Sequence, residues 1–149
     1  MQTDQLTTDQ KGALAEAAIA YAAIELGIGV FRPLCDGARY DLIFDLGGRL
    51  LRVQCKTAVF RGEVLAVPWY SARRSSEGFV KHLYTPDEID AVAAYSPDLR
   101  RCFLLPSDRF GRRTYVQLRL APPKNNQRLG INWADDCAFD VTLRSLLGP

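Results

Sequence analysis

Asp41, Gln54 and Lys56 stand within the stretch GARYDLIFDLGGRLLRVQCK, residues 37–56, as a carboxylate, a neutral oxygen donor and an ammonium. Brought together, these groups are the parts of a site that holds a hard divalent cation through oxygen and steadies negative charge as it develops. What brings them together is the turn between them. Gly47-Gly48 separates two alternating segments, and two-residue hairpin turns need positive φ, which glycine adopts at no steric cost. If Leu46 faces Arg49, then Asp45 faces Leu50, Ile43 faces Arg52 and Asp41 faces Gln54, and directly opposed residues share a face with Cβ atoms roughly 4.5–5.5 Å apart. Gln54 and Lys56 project together because side chains alternate along a strand. Leu42, Phe44, Leu51, Val53 and Cys55 then form the opposite, apolar face, suited to a core.

A fourth polar group comes from upstream. Between Ala13 and Leu26 the charged residues are Glu16 and Glu25, and Glu16 sits among Ala13, Ala15, Ala17, Ala18, Ile19 and Ala20. Small residues let a helix pack closely on a sheet, so a carboxylate there needs a cation or a metal as partner. Glu16, Asp41, Gln54 and Lys56 together suit Mg²⁺, or Mn²⁺ in its place, completed by waters and a substrate phosphate, with the ammonium orienting water or stabilising charge.

The elements that must position these groups follow from pattern. Thr7-Thr8-Asp9-Gln10 supplies a Thr-x-x-Gln capping box, and the alanine-rich run Lys11–Leu26, closed by Gly27 and Gly29, reads as one long helix. Strand-like segments follow at Val30–Pro33, Tyr40–Leu46, Leu50–Lys56 and Val64–Tyr70, then at Ala91–Tyr95, Cys102–Leu105 and Thr114–Leu120. Ser71–His82 reads as a polar, basic loop, Thr85-Pro86-Asp87-Glu88 as the start of a helical turn, residues 122–127 as a loop, and Val141–Leu147 as a short helix. No repeat or linker divides the chain, so a single domain over residues 1–149 is expected.

Composition removes some classes. The net charge of +2 is too small to mark a nucleic-acid binder by itself, so any basic footprint must be local. No apolar run approaches the ~20 residues of a membrane span, and Met1–Gln10 is too polar for a signal peptide. Cys35, Cys55, Cys102 and Cys137 are widely spaced and His82 is the single histidine, which fits neither a zinc site nor a disulfide scaffold; a reduced cytoplasmic location is expected.

Asp41 in ARYDLIFD followed by Gln54-Cys55-Lys56 in LRVQCK resembles the PD-(D/E)XK nuclease superfamily, nearest to its intron-encoded homing endonuclease group, where glutamine replaces the second acid. Lys11-Gly12-x-x-Ala15-Glu16 resembles the leading motif of that group and of archaeal Holliday-junction resolvases. The likeness continues through Tyr84, Glu88-Ile89-Asp90, Tyr95 and the Pro-Pro-Lys-Asn-Asn-Gln loop, with Tyr40 where a proline is usual. The resemblance implies an α/β, restriction-endonuclease-like αβββαβ core with a central mixed sheet flanked by helices. It implies a metal-dependent DNA endonuclease acting as a homodimer or homotetramer, with a junction resolvase, a repair nuclease or an inactive DNA-binding module as alternatives. Asp41 would be the central metal ligand, Gln54 a neutral ligand or water-positioning group, the Cys55 backbone carbonyl a further ligand, Lys56 the catalytic lysine and Glu16 an outer-sphere acid.

Each residue also has a plainer reading. In that reading Asp41 is a strand-start residue bonding to the turn backbone, Lys56 a solvated strand-end lysine, and Glu16 the partner of Lys56 or Arg52 in a structural ion pair. Arg73, Arg74 and Lys81, with Lys124, Asn125, Asn126 and Gln127, are candidates for DNA contact, and loop solvation or turn chemistry accounts for them too. His82 is expected to be neither ligand nor base, and Trp69, Tyr70 and Trp133 to be core or interface aromatics.

Overall fold

The structure, a computed structural model, describes residues 5–125 and 129–148. In chain order the elements are α1 (Thr8–Glu25), β1 (Gly29–Phe31), β2 (Leu42–Asp45), β3 (Leu50–Thr57), β4 (Val59–Arg61), β5 (Val64–Pro68), β6 (Tyr70–Ser75), β7 (Gly78–Leu83), β8 (Ala91–Ser96), β9 (Arg101–Pro106), α2 (Ser107–Phe110), β10 (Tyr115–Arg119) and α3 (Phe139–Leu147). A 3₁₀ turn over Ala134–Cys137 precedes α3.

The expected capping box starts α1: Thr7 Oγ1 accepts from the Gln10 amide at 3.1 Å, and Gln10 Oε1 accepts from the Thr7 amide at 2.9 Å. Its buried residues, Ala15, Ile19 and Ala23, recur every four positions and so form one stripe. That stripe packs on a five-stranded sheet of order β1-β2-β3-β8-β9, in which only β3 and β8 run parallel. Leu42, Phe44, Leu51, Val53, Ala93 and Leu104 complete the core on this face, with α3 contributing Phe139 and Leu143.

The other face is covered by an antiparallel sheet of order β10-β5-β4, through Leu65, Val67, Val116 and Leu118 against Val92, Ala94, Phe103 and Leu105. This is the expected mixed α/β architecture. The parallel pair β3/β8 requires a long crossover, and here it consists largely of β4 to β7, with the helical turn reduced to Pro86–Glu88.

The β2/β3 register is the one the glycines imply: Leu42 faces Val53, Ile43 faces Arg52 and Asp45 faces Leu50. Gly47 takes φ +94° in the turn. The ladder ends at Leu42 and Val53, so Asp41 is joined to β3 through its amide, which donates to the Val53 carbonyl at 2.9 Å. Ser71–His82 is not a loop. It is most of an antiparallel ribbon, β6 paired with β7 from Tyr70↔Leu83 to Ser75↔Gly78. A ribbon exposed on both faces carries no apolar alternation, which is why its sequence reads as loop. β4, α2 and the 3₁₀ turn are likewise elements too short for a periodic signal.

Candidate active site

Beyond Val53, β3 has no β2 residue left to pair with, and the Asp41 side chain takes that place. Asp41 Oδ2 accepts from the Cys55 amide at 3.0 Å and from Gln54 Nε2 at 2.6 Å. Both bonds fall on one oxygen; Oδ1 carries none among the described residues. In a strand the N–H and C=O of one residue point to the same neighbour, so the Cys55 carbonyl also faces the Asp41 side, where Gln54 Nε2 lies 3.5 Å from it. The Cys55 side chain packs against the α1-side core, and burial pushes its thiol far above the usual range.

Lys56, two residues after Gln54, projects on the same side as Gln54. Its Nζ donates to the Tyr70 carbonyl at 2.9 Å and lies 5.2 Å from the centroid of the Tyr84 ring. Burial lowers its basicity, the Arg39 guanidinium lowers it further, and Asp41 acts in the opposite sense. Asp41 in turn is raised above the usual carboxylate range, first by burial and then by the charge of Glu16, against the Cys55 amide, Lys56 and Arg32.

Glu16 shares with Asp41 a cleft of about 300 Å³, whose wall includes Arg32 and Tyr40. The ion-pair partner of Glu16 is neither Lys56 nor Arg52 but Arg32, at 2.6 Å. Arg52 is committed elsewhere: its guanidinium and its amide both bond the Asp90 carboxylate. Arg32 arrives on the segment after β1, beyond the reach of hairpin or helix spacing, and no local signal marks it.

Arg39 is the other residue that spacing does not reveal. It pairs with Glu88 at 2.7 Å, donates to Ser71 Oγ and to the carbonyls of His82 and Leu83, and stacks 4.3 Å from the Tyr84 ring centroid. It thereby ties the root of the β6/β7 ribbon to the chain two residues before Asp41. Burial drives the Tyr84 hydroxyl up to about 12, so at neutral pH it stays protonated beneath Lys56 and Arg39.

Among the described residues no cluster of three His, Cys, Asp or Glu side chains is present. The donor set is instead the Asp41 carboxylate, the Glu16 carboxylate, the Gln54 amide and the Cys55 carbonyl. All are oxygen donors, and the half-buried Asp41 is charged only at a cost, so the residues fit a hard divalent cation.

The DNA-contact candidates separate into two groups. Arg73, Arg74 and Lys81 lie on the exposed ribbon whose root touches Lys56 and Arg39. Lys124 is joined to Glu63, 3.5 Å away, in a turn with Asn125 after β10. Asn126 and Gln127 lie outside the described residues. His82 is mostly exposed and 3.7 Å from Glu88. Trp69 is fully buried, while Tyr70 is half-exposed and packs edge-on against Tyr115.

A family model described as PD-(D/E)XK endonuclease matches residues 6–140. Among solved structures, a bacterial homing endonuclease, I-Ssp6803I, matches with a TM-score of 0.76 and 25% identity, over 94% of this chain and 95% of that one. Among curated proteins, none matches.

Proposed function

The chain belongs to the PD-(D/E)XK endonuclease family, and from that premise we propose that it is a Mg²⁺-dependent, homing-endonuclease-like enzyme that cuts DNA as a homo-oligomer. PD-(D/E)XK nucleases use divalent metals. The observation that carries the assignment of residues is the convergence of Gln54 Nε2 and the Cys55 amide on Asp41 Oδ2, two residues from the half-buried Lys56.

Asp41, through the oxygen not engaged by Gln54 and Cys55, and the Cys55 carbonyl would hold the ion, with Glu16 across the cleft as the outer-sphere acid. Bound there, a divalent ion supplies Lewis-acid stabilisation of a phosphodiester oxygen and a more acidic water. Gln54 holds Asp41 through its nitrogen and keeps its carbonyl oxygen for a water. Lys56, positioned by the Tyr70 carbonyl and ringed by Tyr84, offers its ammonium to the charge that builds on the phosphate. Arg73, Arg74 and Lys81 supply DNA contacts at the ribbon.

Purified protein with Mg²⁺ or Mn²⁺ is expected to nick or cut plasmid or branched DNA. Lys56→Ala and Asp41→Ala are each expected to lose about 10²–10³-fold or more in rate while still binding DNA. Cutting by either variant at the wild-type rate overturns the site; no cutting of any DNA by the wild type overturns the activity.

A further inference from the structure

We infer that the β6/β7 ribbon is the sequence-reading element of this protein, lying in the major groove of duplex DNA with Arg74 and Phe79 near its tip against base edges. The inference rests on the reading of the protein as one that acts on DNA, and goes beyond it by assigning where and how bases are distinguished.

The first support is the ribbon's isolation. It is a sheet of two strands, and β7 is exposed along its whole length. A two-stranded ribbon alone in water is marginal, yet this one carries Phe79 at 71% exposure, with Val80 and Leu83 also exposed. A partner covers such a surface in use.

The second support is charge. Residues 70–83 contain three cations and one acid, a local excess equal to the net charge of the whole chain. Among the described residues the three ribbon cations have no ion pair. Two of them lie over rings instead: Lys81 Nζ is 4.7 Å from the Tyr70 centroid and the Arg74 guanidinium 5.8 Å from that of Phe79. The register puts Arg74 opposite Phe79 and Lys81 opposite Ala72, so these side chains share one face of the ribbon. Unpaired cations on an extended element call for an anionic, extended partner.

The third support is size and anchorage. Two strands roughly 4.8 Å apart fit a major groove about 12 Å wide, which admits a β-ribbon. Six residues per strand extend about 20 Å, the length of about six base pairs. At its root the Tyr70 carbonyl receives Lys56, and Arg39 clamps both strands through Ser71, His82 and Leu83. The bases met by the ribbon therefore lie within about six base pairs of the phosphate at Lys56. A guanidinium forks onto guanine O6 and N7, and an aromatic edge meets the thymine methyl. Arg39 is the positioning residue that keeps this reader in step with the cutting site.

The test uses binding, not cleavage. Metal-free full-length protein is allowed to retain duplexes from a pool randomised over twenty positions, and the retained DNA is sequenced for the wild type, Arg74→Ala, Phe79→Ala and Arg74→Lys. The wild type is expected to enrich a defined sequence. The alanine variants are expected to lose preference in one block of at most six adjacent base pairs, keep the rest, melt at the wild-type temperature and sediment at the wild-type mass; Arg74→Lys is expected to restore part of that block. An unchanged preference, a uniform weakening at all positions, or no preference in the wild type overturns the inference. So does a smaller particle in the variants, which makes the ribbon a subunit contact. Retained preference without cleavage under Mg²⁺ sinks the catalytic reading alone, and cleavage with variant patterns unchanged sinks the ribbon alone.

Discussion

Asp41 is held by two donors on one oxygen, and it lines a cleft shared with a second carboxylate. Burial raises its folded-state pKa above the unfolded value, so the protonated form stabilises the fold at low pH and that contribution is lost as pH rises through the folded pKa. The ionised carboxylate is therefore a liability at neutral pH until a cation arrives. Asp41→Asn keeps an acceptor for the Cys55 amide and for Gln54 but removes the charge. Without metal, the variant is expected to melt above the wild type at pH 7, with the gap closing as pH falls toward 4, the ordinary aspartate range of about 3.9. Added Mg²⁺ is expected to raise the wild-type melting temperature and leave the variant unmoved. A variant that melts below the wild type at pH 7, or that gains stability from Mg²⁺, contradicts this account. Lys56 offers a companion test. Its lowered basicity predicts that cleavage falls away on the alkaline side before the ordinary lysine range of about 10.4, and a pH–rate profile whose falling limb begins only above that range contradicts the ammonium's role.

At the scale of elements, the hairpin was legible because one physical rule, a glycine turn setting register, reached from Gly47 to Gln54. The rule can be tested within the turn. Gly47 has φ +94° and open space around it, whereas Gly48 has open space and no left-handed φ. Gly47→Ala is expected to cost about 1–2 kcal/mol in urea unfolding, and Gly48→Ala to stay within about 0.5 kcal/mol of wild type. Equal losses at both positions would mean that the turn does not hold the register through Gly47. The helical glutamate was legible as a carboxylate in need of a partner, but its partner was not, because Arg32 lies on an irregular segment and no period connects it to Glu16. The ribbon was illegible for the opposite reason. Its strands have a regular period, yet both faces are polar or isolated apolar residues, so Arg73, Arg74 and Lys81 looked like solvated loop. Glu88 and Asp90 resembled family positions without an evident task. The structure gives them one each: Glu88 holds Arg39, and Asp90 holds Arg52.

At the scale of the molecule, the central sheet is shared by two cores. β8 turns Ala93 toward α1 and Val92 and Ala94 toward the β10-β5-β4 sheet, while β9 turns Leu104 one way and Phe103 and Leu105 the other. The site spans this division: Glu16 approaches from the α1 layer, and Lys56 lies against Tyr84, part of the opposite core. Neither core can be lost without removing one wall of the other, so the chain should unfold in one step. Leu51→Ala on the α1 side and Leu65→Ala on the other, both fully buried or nearly so, are each expected to cost about 2–5 kcal/mol. In a Trp133→Phe background the remaining indole, Trp69, reports only the opposite core. Its fluorescence transition is expected to coincide with that of far-UV circular dichroism in both variants, as two-state unfolding requires. A Leu51→Ala protein whose dichroism falls while Trp69 stays native would separate the two layers, and the site would then be assembled across a boundary that opens independently of the ribbon.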